Sequence, residues 1–166
     1  GSGTSTHLAS EMFNMLAGVK IQHIPYKGGG PAIADLIGAR LQVYFSATTL
    51  AIPHIKSGKL RALATTGENR LAALPQVPTI TEAGLSGFDF KVWYGILAPA
   101  GTPKAVIEKL STELARVLRL PDIVEKLASQ GMQPFISTPD QVTALIKAEM
   151  ARYGKIIKAA NIKLEN

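Results

Sequence analysis

The chain has 166 residues, 46% hydrophobic and 18% charged, enough for one domain or two small lobes and unlike a disordered or fibrous composition. It contains no cysteine, which excludes disulfides, thiolate metal sites and a cysteine nucleophile, and no apolar run reaches the roughly 18 residues of a membrane span. A net charge of +6 suits nucleic acid, an anionic surface or an anionic solute, but the basic residues form no dense patch interleaved with aromatics, which argues against nucleic acid as a partner.

No charged segment followed by an apolar run opens the sequence, so no signal peptide is read in it. Leu8, Met12, Met15 and Leu16 recur at helical spacing, which predicts a first helix capped by the Thr4 or Ser5 hydroxyl and ended by Gly18. Residues 19–26 read as a strand, closed by Pro25 and the run Lys27-Gly28-Gly29-Gly30-Pro31. A second helix runs from Pro31 to about 39, with proline where no N–H is needed. Residues 41–46 are rich in β-formers and predict a buried strand. A helix over 48–57, despite Pro53, and a strand over 60–66 follow. Alternating strands and helices with short loops predict an α/β lobe, its parallel or mixed sheet covered by helices.

Residues 75–87 form a turn-rich connection with a short helix over 79–83, and 88–98 is the longest extended stretch. Helices are then predicted over 103–119 and 121–131, with a short strand over 132–136. The last helix, to about 160, is opened by Thr138-Pro139-Asp140-Gln141, a capping box with proline in first position. The organisation changes near residue 98, dividing an α/β lobe over 1–97 from a mostly helical segment over 98–166. That segment carries apolar stripes at Val106, Ile107, Leu110, Leu114 and Leu118, and at Val142, Leu145, Ile146, Tyr153 and Ile157. A five-residue strand cannot cover both. They are expected to pack on a sheet outside this chain or on another chain, which favours self-association.

Two places feed small or hydroxylated residues into a helix start: Gly3 with Thr4, Ser5, Thr6 and His7, and Gly28, Gly29 and Gly30 with Pro31 and Ala32. Free N–H groups and the positive end of the helix dipole converge there, and glycine lets a ligand approach the backbone. Capped helices and turns use the same residues, so each run alone is ambiguous. Both precede a helix in an alternating pattern, which puts them on one edge of the sheet. His7 could donate to a carboxylate or be a surface histidine of the first turn, while His23 and His54 read as structural. No His or carboxylate spacing suits a metal.

Enzyme signatures fail on inspection. Gly84-Leu85-Ser86-Gly87 has its second glycine one place early for a nucleophile elbow. Ile33 stands where a dinucleotide fingerprint after Gly28 and Gly30 needs glycine or alanine. Asp35, one turn into the second helix, suits bracing the glycine loop better than meeting a ligand amine, and Trp93-Tyr94 reads as core rather than cleft wall. No catalytic residue and no cofactor is expected.

In this order, GTSTHLASEMF, HIPYKGGGPAIADLIGARLQVYF, PHIKSGKLRALATT, LPQVPTITEAG and WYGILAPAGTP resemble the Bug-type receptors of tripartite tricarboxylate transporters over essentially the whole chain. The resemblance implies a type II periplasmic-binding-protein-like (Venus flytrap) fold, two lobes that close over a small organic carboxylate and deliver it to a membrane permease. It implies ligand contacts at Thr4, Ser5, Thr6 and His7, at Lys27, Gly28, Gly29, Gly30, Pro31 and Ala32, and at Ser46. It further implies that the chain is the second lobe plus the C-terminal segment returning to the first, whose N-terminal half, with its own ligand loop and a signal peptide, is not in this sequence. The expected function is periplasmic capture of a carboxylate left unnamed, since a helix start recognises only the carboxylate group. A ligand-sensing regulatory or interaction module on the same fold is the alternative.

Overall fold

The computed structural model describes residues 1–162. Among them six helices form: α1 (Ser5–Ala17), α2 (Gly29–Ile37), α3 (Thr48–Lys56), α4 (Lys104–Val117), α5 (Pro121–Ser129) and α6 (Pro139–Ala159). Each arises where apolar residues recur at helical spacing, and the punctuation matches. Gly18 ends α1 in the left-handed conformation, φ 65°, and Pro121 takes the first turn of α5. At α6, Thr138 Oγ accepts from the Gln141 N–H at 3.2 Å, and the Gln141 side chain accepts from the Thr138 N–H at 2.8 Å. The capping box closes as its sequence predicts. No described helix is long and apolar enough to cross a membrane.

Among the described residues the predicted strands form no ladder, although the Phe90 N–H donates to the Thr66 carbonyl at 2.9 Å. Among the described residues the one β contact is a parallel bridge between Thr65 and Thr79, with the Thr65 N–H donating to the Pro78 carbonyl and its own carbonyl accepting from Ile80. Elsewhere, side chains take the place of neighbouring strands. The Asn14 carboxamide accepts from the Ile21 N–H at 3.0 Å and donates to the Ile21 carbonyl at 3.2 Å, satisfying both polar groups of that residue. Thr81 and Arg152 donate to the carbonyls of Phe88 and Asp89. Period-2 patterning identifies an extended, half-covered segment, whereas a ladder needs a partner that local sequence does not specify.

The core gathers Phe88 and Phe90, 2% and 1% exposed, with Leu8, Ala9, Ile80 and Ile156. A smaller cluster joins Ile52, Leu74 and Val77. The end of α6 packs on α1 and contributes Ile156, not the predicted Ile157, which is exposed. The segment after residue 98 is thus held in part by this chain. Its α4 and α5 bury no residue, and Val106, Leu110 and Leu114 of the predicted inward stripe are exposed. The end of α5 touches the lobe where the Thr48 hydroxyl donates to the Gln130 carbonyl at 3.2 Å.

Candidate functional site

Thr4 occupies the cap position of α1 without capping it. Its hydroxyl donates to the Gly1 carbonyl at 2.8 Å and lies 3.0 Å from the Thr6 hydroxyl. The expected cap does not form: the hydroxyl turns back to donate to Gly1 and accepts from no N–H of the first turn. The Gly3 N–H instead donates to His7 Nδ1 at 3.1 Å. His7 is buried, its Nε2 is 3.6 Å from Glu11 Oε1, and its ring stacks on His23 with centroids 3.7 Å apart and planes 8° from parallel. It is not the exposed first-turn histidine that one sequence reading allowed.

The start of α2 also lacks a side-chain cap. Gly28 precedes it at φ 109°, ψ 171°, a conformation essentially confined to glycine. At Gly29 a Cβ would run into Leu50 Cδ1, the tip of a 41% exposed side chain that can swing aside, and sit 3.2 Å from the Tyr44 hydroxyl. Gly30 carries neither constraint, since a Cβ would meet nothing within 4 Å. The loop is braced by Asp35, which accepts from the Tyr26 hydroxyl and from Arg40, each at 2.8 Å. These donors hold the Asp35 carboxyl below the usual carboxylate range, and the same bond raises the Tyr26 hydroxyl.

The two starts meet at one hollow of about 80 Å³. Of the predicted residues, Thr6, His7, Gly28 and Ala32 line it. Thr4, Ser5, Lys27, Gly29, Gly30, Pro31 and Ser46 are outside its lining, and the Ser46 hydroxyl donates to the Ala47 carbonyl at 3.1 Å. Ser10, Gln22, His23, Tyr26 and Tyr44, none of them a predicted site residue, complete its polar wall. Ser10 was legible as the neighbour of Thr6 one helical turn on; the other four come from outside the helices. Ligand pockets usually enclose at least about 300 Å³, so this hollow by itself is too small to enclose such a ligand.

Comparison with known proteins agrees with this architecture. The family model described as "Tripartite tricarboxylate transporter family receptor" matches residues 1–162. The protein BugT of Bordetella pertussis is 36% identical over 163 residues, covering 98% of this chain and 50% of that protein. Among solved structures, an R. palustris protein with adipate superposes with a TM-score of 0.89 at 34% identity, covering 96% of this chain and 54% of that one. MatC from Rhodopseudomonas palustris with bound malate gives 0.76 at 29% identity, covering 93% and 54%. The chain spans about half the length of these relatives. Their shared architecture is that of periplasmic solute-binding proteins, and this chain belongs to the tripartite tricarboxylate transporter receptor family, in its Bug-type branch.

Proposed function

We propose that this chain supplies the second-lobe wall of an extracytoplasmic receptor for a small organic carboxylate, recognised without covalent chemistry by the starts of α1 and α2 and passed on to a membrane permease. One observation carries the reading: two helix starts without side-chain caps open on one hollow, with Thr6 and Gly28 both in its lining. Backbone N–H groups at such points favour an anion. The adipate and malate named for two structural neighbours support a dicarboxylate of similar size. Residues 1–97 form the ligand lobe in this reading and 98–166 the returning segment, whose closure with an opposing lobe would complete the pocket.

Amide chemical shifts test this on the chain itself. Titration with adipate or malate should move the resonances of Thr4 to His7, Gly28 to Gly30 and Ala32. Adipamide, which lacks the charge, should move none of them. Gly30→Val, whose Cβ would meet nothing within 4 Å, should weaken the adipate shifts. The reading fails if both starts stay silent, or if the shifts gather on α4 and α6.

A further inference from the structure

We infer that His7 is a positioning residue for the carboxylate site, acting in its neutral form by accepting the Gly3 N–H and so shaping the turn that leads into α1. The inference rests on the carboxylate reading above and deepens it. Gly3 N–H can only donate, so the Nδ1 atom 3.1 Å away must carry a lone pair. In neutral imidazole the proton then sits on Nε2, which faces Glu11 Oε1 at 3.6 Å. The ring is buried and lies flat on His23, and a half-turn of the ring would put Cδ2 in place of Nδ1 and lose the Gly3 bond. Around it, Gly1, Thr6 and Gly28 line the hollow, and Thr4 ties itself to Gly1 through its hydroxyl. The turn over Gly1 to Thr4 thus adjoins the hollow at Gly1, and His7, itself in the lining, holds that turn through Gly3.

A protonated imidazole has no acceptor. A ring protonated on both nitrogens could not accept from Gly3, so the turn requires the neutral form with its proton on Nε2.

The test has a ligand-free arm and a binding arm. In the free chain at neutral pH, imidazole nitrogen spectra should show His7 with its proton on Nε2, and the Gly3 amide should change with the His7 titration. A His7 protonated on Nδ1, or a Gly3 amide indifferent to it, would overturn the inference whatever the ligand does. In the binding arm, read at one neutral pH, His7→Asn, whose Oδ1 replaces Nδ1 as acceptor, should bind adipate like the parent. His7→Leu should bind it about three- to tenfold more weakly, the worth of one neutral hydrogen bond. Asn and Leu variants behaving alike would reject positioning. No adipate binding by any variant, with the Gly3 amide still following His7, defeats the carboxylate reading and leaves the hydrogen-bonded turn standing.

Discussion

Residues 5–90 and residues 91–155 are comparably rich in apolar side chains, yet only the first stretch buries any of them completely. Leu8, Ile80, Phe88 and Phe90 are enclosed, while Tyr94, Ile96 and Leu97 are about three-quarters exposed and Leu110 is half exposed. Amphipathic patterning decides that a helix forms; it does not decide that its apolar face is covered. Helices α4 and α5 are well formed and nearly bare, whereas the end of α6 reaches the core through Ile156. Thermodynamic support should therefore come from the first stretch and from one turn of the last helix.

Mutations can break or sharpen that contrast. The largest effect is expected from Phe90→Ala, at about 3–5 kcal/mol of unfolding free energy in a urea titration, since a 1% exposed ring leaves a cavity. A loss below about 1 kcal/mol would mean the Phe88–Phe90 cluster is not the centre of the fold. The caps give a finer comparison. Thr138→Ala removes a hydroxyl that accepts from the Gln141 N–H and should cost about 1 kcal/mol, and Thr4→Ala, whose hydroxyl caps nothing, should cost less. A reversed order would contradict the hydrogen bonds at the two helix starts. Smallest of all, Leu110→Gln on the bare face of α4 should move stability by no more than about 0.5 kcal/mol. A clear destabilisation by that change would show that α4 is covered in solution.

Much of this was legible in the chain. Helix limits followed from Gly18, Pro121 and the Thr138–Gln141 box because those signals act within a few residues. The phase of α6 slipped by one, from Ile156 to Ile157, because a 3.6-residue period drifts against an integer pattern over 21 residues. Strand pairing was beyond local reading: Ile21 finds both its partners in the side chain of Asn14, and no periodicity announces that. The hydroxyl and glycine runs stand where α1 and α2 begin, and Asp35, one turn into α2, binds Tyr26 and Arg40 beside the glycine loop. The burial of His7 was not visible, because its stacking partner His23 arrives from a separate segment.

The three successive glycines at the mouth of α2 carry unequal burdens. Position 28 demands glycine for its backbone angle, position 29 meets only the movable tip of Leu50 and the Tyr44 hydroxyl, and position 30 meets nothing within the folded chain. A library randomised over the triplet would thus sort its members by two different filters. Survival in a protease screen should restore glycine at the first place, while only enrichment on an immobilised dicarboxylate should restore the other two.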